Sequence, residues 1–82
     1  MKVVSIGVLD KYMQNHADSK NALSVWLSIA QKATWRNLLE VRRTYPHADY
    51  VRPFTVFNIK GKSYRLITII DYDKFRIAID SA

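Results

Sequence analysis

At Phe54 the hydrophobic pattern of this chain changes period, and that change decides which class of fold it can adopt. Before it, apolar residues recur at intervals of three and four. After it, Phe54, Val56 and Asn58 alternate with Thr55, Phe57 and Ile59, the two-residue repeat of a β-strand. Lys60-Gly61 predicts a turn, because glycine tolerates the positive φ that tight hairpins require. Tyr64 to Ile70 returns as a strand, almost wholly apolar after Arg65, which predicts a central position with both faces buried. Asp71-Tyr72-Asp73-Lys74 is a second polar turn. Phe75, Ile77 and Ile79 then alternate with Arg76, Ala78 and Asp80 in a last strand with one face inward.

Upstream, Val3, Val4 and Ile6 suggest a short first strand, and Val8, Leu9, Tyr12 and Met13 a short helix ending near Asn15 or His16. Asp18 or Ser19 is placed to cap a longer helix by accepting backbone hydrogen bonds. Its apolar stripe is expected to run through Ala22, Val25, Trp26, Ile29 and Ala33, widened by Leu23, Leu27 and Ala30. Asn37, with Glu40 three residues on, has the spacing of a capping box for a third, short helix carrying Leu38, Leu39 and Val41. Pro46 stops that helix, and Tyr45 before it is pushed toward an extended conformation. The expected fold class is α+β: a short first strand, two or three helices, then a three-stranded antiparallel meander with the helices packed on one face.

Eighty-two residues make a single domain spanning 1–82, small enough to bury only about 60% of the surface its unfolded chain exposes. Cysteine is absent, so neither a disulfide nor a thiolate–zinc site can reinforce the core. The 49% hydrophobic content must supply it. Thirteen Lys and Arg against seven Asp and Glu give +6 and an isoelectric point near 9.8. That excess favours polyanions, by counterion release and by steering encounter. The run from Val3 to Leu9 is too short for a membrane helix and lacks a cleavage site. The expectation is therefore no membrane association, with the cytoplasm as default compartment.

Most enzyme templates do not fit. His16 and His47 are far apart without carboxylate companions, so no metal site and no cofactor is expected, and each reads as an exposed loop histidine. Two glycines cannot build a standard phosphate-cradling loop, and the serines have no His/Asp arrangement beside them. What does stand out is basic and aromatic. Lys32, Arg36, Arg42 and Arg43 surround Trp35 with only Glu40 opposing, either as an RNA-binding face or as a solvated helix surface. Lys60, Lys62, Arg65 and Arg76 lie beside Tyr64 and Tyr72 on the predicted sheet. On a central strand Arg65 needs either a phosphate or a carboxylate such as Asp71, Asp73 or Asp80. Such residues suffice in principle for a metal-independent ribonuclease. A 2′-hydroxyl attacks the adjacent phosphorus, Lys or Tyr moves protons, and Arg stabilises the phosphoryl oxygens.

The sequence resembles the HigB-type toxins of the RelE-like superfamily along nearly its whole length. The resemblance is carried by the "VVS" opening strand, Trp26, "KATW" at 32–35, "VRRTYPHADYV" at 41–51 and, most specifically, the hairpin within "FTVFNIKGKSYRLITIIDY" at 54–72. It implies a RelE-like fold and a type II toxin that cuts mRNA in the ribosomal A site and so inhibits translation. It also implies a HigA-like helix-turn-helix antitoxin that neutralises the toxin and alone brings it to operator DNA. Carried over by position, Asn58, Lys60, Lys62, Tyr64 and Arg65 fall in the matching hairpin motif. Lys60, Lys62 and Arg65 are the expected phosphate contacts, with Tyr72 as a further catalytic candidate. Asn58, Tyr64 and Arg76 are expected RNA contacts, although Tyr64 alternates with Leu66 and Ile70 as a core residue would. Family members continue past the last strand into a segment of the type "THAEYD", whereas this sequence ends at Asp80-Ser81-Ala82. On that departure the alternative reading is a catalytically impaired module that binds RNA or antitoxin.

Overall fold

A computed structural model describes all 82 residues. Strand β1 (Lys2–Val4) leads into α1 (Ile6–Asn15), a single 3-10 turn (Ala17–Ser19), α2 (Lys20–Lys32) and α3 (Leu38–Thr44). Four strands follow: β2 (Asp49–Val51), β3 (Phe54–Ile59), β4 (Tyr64–Asp71) and β5 (Arg76–Ser81). The sheet order is β1-β5-β4-β3-β2. All neighbours are antiparallel except β1, which runs parallel to β5 with Val3 opposite Ile77.

The α+β class and the change of period at Phe54 agree with the sequence, and three helices form. The meander, however, has four strands rather than three. Asp49–Val51 pairs with Phe54–Val56 across a tight connection, a strand too short and too polar at its start to show in the pattern. The first strand ends before Ile6, because Ser5 takes a left-handed conformation (φ 61°) that turns the chain straight into α1.

β4 is central, as expected, but only one of its faces is covered. Leu66 and Thr68 point into the core and are fully buried, while Ile69 on the other face is 40% exposed. The alternating rows of β3, β4 and β5 give one inward set, Phe57, Ile59, Leu66, Ile77 and Ile79, which joins Leu9, Leu23, Trp26, Ala30, Trp35 and Val41 in one core. Phe57 is its hub. Its ring meets Trp26 at 5.3 Å, Tyr45 at 5.3 Å and Trp35 at 6.3 Å, within the range where aromatic pairs add about 0.5–1.5 kcal/mol each beyond burial.

α2 is turned on its axis relative to the expected stripe. Leu23, Trp26 and Ala30 are the residues it buries, whereas Val25 and Ile29 are 58% and 37% exposed. Neither Asp18 nor Ser19 caps it. Ser19 is itself helical in backbone angle, and its hydroxyl donates to the His16 carbonyl at 2.6 Å. The Asp18 carboxylate is taken by the distant hairpin. At the other end of α2 the Met1 amine donates to the carbonyls of Ala30, Gln31 and Ala33 at 2.6–3.0 Å, a positive charge at the C-terminal end of the helix, where the helix dipole favours one. α3 starts as its sequence suggests. Asn37 Oδ1 accepts from the Glu40 N–H at 3.0 Å, although the Glu40 carboxylate reaches back to the Arg36 N–H at 2.8 Å rather than to Asn37.

Candidate nucleic-acid interface

The antiparallel register sets Asn58 of β3 opposite Arg65 of β4, on the sheet face that the helices leave open. The hairpin turn holds Lys60 and Gly61 at φ 53° and 65°, and Lys62 follows within it. The third wall comes from the segment between α3 and β2. There Arg42 donates from Nε to the Ala48 carbonyl at 2.9 Å, which fixes the side chain while its terminal nitrogens make no bond within the protein. Pro46 and His47 are exposed beside it.

Arg42, His47, Asp49, Asn58, Lys62 and Arg65 line one open cleft of about 470 Å³. A second hollow of about 390 Å³ adjoins it over His47, Asn58 and Lys62 and extends to Tyr45 and Gly61. With three cations and one carboxylate, the lining of the larger cleft carries a net +2. Arg65 is exposed and has no ion pair; Asp71, Asp73 and Asp80 do not reach it, and the two salt bridges in the structure lie elsewhere. The expected desolvation of this guanidinium does not occur, because the face around it is open to water.

Other candidate residues are not gathered here. Lys60 turns to the helix side, 3.2 Å from Asp18. Tyr64 does the same: its hydroxyl donates to Asp18 at 2.5 Å, and its ring sits edge-on to Tyr12 and His16, half-buried against the core. Tyr72 and Arg76 stand at the far end of β4, Arg76 opposite Asp71, about 20 Å from Arg65 at the ordinary strand rise. Burial pushes the Tyr72 hydroxyl above its ordinary range. Arg36 is held by Glu40 at 2.9 Å, and that hydrogen bond keeps the Glu40 carboxylate below its usual value. Lys32 and Arg43 border a separate hollow beside Ile29.

The Asp18–Tyr64 clasp has a titration signature. The hydrogen bond to Asp18, then burial, push the Tyr64 hydroxyl up to about 12. Tyr64 and Lys60 together lower Asp18. A raised folded value for Tyr64 makes its contribution to stability complete below its ordinary 10.0 and lost as pH climbs toward about 12. A lowered value for Asp18 makes its share complete above its ordinary 3.8 and lost as pH falls through the folded value. Burial raises Tyr45 and Tyr72 as well, so ultraviolet titration is expected to show several late-ionising tyrosines, of which one moves back toward the ordinary range in Asp18→Asn. An unchanged titration in that variant refutes the clasp.

His47 is the cleft residue that sequence reasoning set aside. Its neighbours there are eleven to eighteen positions downstream, on β3, its turn and β4, so only the folded topology reveals them. Chemically, the cleft offers two guanidiniums and an ammonium for a phosphodiester, an amide for orientation, and an imidazole with two nitrogens for hydrogen bonding. No three His, Asp or Glu side chains come together as a metal site needs.

The match to known proteins lies over this region. A family model described as "HigB_toxin, RelE-like toxic component of a toxin-antitoxin system" matches residues 19–82, which include every cleft residue. No curated protein matches the chain.

Proposed function

From the premise that this chain belongs to the HigB family, the RelE-like toxic component of a toxin–antitoxin system, we propose that it is a ribosome-dependent mRNA endoribonuclease that acts in the cytoplasm without metal or cofactor. The observation that carries this reading is Arg65. It stands on the central strand without an ion pair, Arg42 lines the same cleft with its Nε held at 2.9 Å, and Lys62 completes a lining with a net positive charge that suits a phosphodiester.

In the proposed reaction the 2′-oxygen attacks the adjacent phosphorus and the bond to the 5′-oxygen breaks. The products are a 2′,3′-cyclic phosphate and a 5′-hydroxyl. Arg65 and Arg42 neutralise the equatorial oxygens, where charge develops. Lys62 binds the incoming phosphate, and Asn58, held opposite Arg65, orients it. His47 relays the proton from the 2′-hydroxyl toward the leaving oxygen. The partners in this reading are mRNA, the ribosome and a HigA-like antitoxin, with operator DNA reached through that antitoxin alone.

The test is incubation of the purified chain with programmed ribosomes and mapping of mRNA ends. Cleavage that requires the ribosome is expected, and His47→Ala should slow it by about 10²–10⁴, the usual contribution of an acid–base group. Cleavage of naked RNA at the same rate would overturn the ribosome requirement. A second reading, binding without cutting, is favoured by one observation: Tyr64 and Lys60 are engaged by Asp18, which leaves few proton carriers at the cleft. Salt-sensitive RNA binding with no cleavage at any enzyme concentration decides for it.

A further inference from the structure

The stripe that α2 turns outward lies in a groove. Ala22 and Val25 line a hollow of about 390 Å³ whose far wall is Tyr45, Ile59 and Lys60. One helical turn on, Ile29 and Lys32 line another of about 490 Å³, closed by Trp35 and Arg43. The two hollows follow one line, since 22, 25, 29 and 33 share a helix face, and they span about 16 Å at the helical rise. The opposite lip is continuous in the chain, from α3 through Thr44 and Tyr45.

Two exposed aliphatic side chains in such a groove gain nothing from a phosphate backbone, which argues for a protein occupant. The charge selects its chemistry. Lys32 and Arg43 border the groove without an ion pair; Glu40 lines the same hollow but is held by Arg36, and Asp18 is held by Lys60, so the rim keeps a net positive charge. The surface is thus apolar along its floor and cationic at its rim. The cationic cleft on the open sheet face is a separate surface: its lining of Arg42, Lys62 and Arg65 around one carboxylate, Asp49, suits a phosphodiester.

We propose that the groove between α2 and α3 receives the antitoxin of this toxin, through an amphipathic helix with aliphatic residues three or four apart and acidic residues flanking them. The inference rests on membership of a toxin–antitoxin family and not on ribonuclease activity. The groove adjoins the cleft through Tyr45 and Asn58, which line hollows on both sides. An acidic helix seated on α2 therefore lies against the cationic hairpin as well.

The test uses the full chain and its co-encoded antitoxin, defined as the neighbouring gene product that co-purifies with it. Calorimetry reads binding directly, so a chain that cuts no RNA still tests the groove. Val25→Glu with Ile29→Glu is expected to weaken binding about 100-fold, as loss of a central apolar contact does, with an unchanged melting temperature because both residues are exposed. Lys32→Glu with Arg43→Glu is expected to weaken it about 10-fold and flatten its salt dependence. Affinity within threefold of wild type in the Val25/Ile29 variant overturns the proposal. So does a Lys32/Arg43 variant that loses RNA binding while keeping its antitoxin. Conversion of a dimer to a monomer by the Val25/Ile29 change, with antitoxin affinity intact, overturns it too and assigns the groove to a second copy of this chain.

Discussion

Arg65→Ala is expected to abolish growth arrest and to slow mRNA cleavage by about 10²–10³, the loss that follows removal of one group stabilising developing charge. The side chain has no partner inside the protein, so its removal leaves no orphaned group. Stability should move by no more than about 0.5 kcal/mol, as for most exposed positions. Arg65→Lys separates charge from shape. The ammonium keeps the electrostatics and loses the planar fork, so partial activity with weaker transition-state stabilisation is expected. Growth arrest equal to wild type in Arg65→Ala would remove this residue, and the cleft built around it, from the mechanism.

The second large effect is on the fold. Trp26→Ala is expected to cost about 3–5 kcal/mol in a domain whose total stability is of order 5–15 kcal/mol. Trp26 is 1% exposed and packs on Phe57, which in turn holds Tyr45. Tyr45 begins the segment that presents His47, so the same substitution loosens the cleft from beneath. Chemical denaturation should show a midpoint far below wild type, and RNA binding should weaken along with it. A loss under about 1 kcal/mol would mean that the aromatic cluster is not the centre of the core. Trp26→Phe isolates a smaller question. The indole Nε1 is buried with no acceptor, so phenylalanine loses volume but also removes an unsatisfied donor, and its cost should be well below that of alanine.

What was legible in the sequence was local. The Lys60-Gly61 turn, the change of period at Phe54 and the Asn37 cap depend on residues within a few positions of one another. What escaped depends on distant ones. Asp18 reads as a helix cap, but Tyr64, 46 positions away, offers its carboxylate a hydroxyl and Lys60 a charge. Both faces of α2 carry apolar residues, so periodicity alone could not say that Leu23 and Ala30 face the core while Val25 and Ile29 face outward. β2 is three residues long between two prolines, and it exists only because Phe54–Val56 offers it an edge. At the cleft, Arg65 and Lys62 were visible as basic residues on a hairpin. Their grouping with Arg42 and His47 was not, because the chain passes through β2 and β3 before bringing them together.

The parallel pairing of β1 with β5 also governs when this protein comes into being. Strand β1 has no partner in the sheet until β5 has been made, since Lys2–Val4 docks only on Arg76–Ala78. Pairings this distant in sequence form late. During translation the nascent chain therefore carries its cationic hairpin on an incomplete sheet until Arg76–Ala78 is available to β1. The outer edge of the sheet is thus closed by residues 74 positions apart, and it depends on segments that local structure alone cannot bring together.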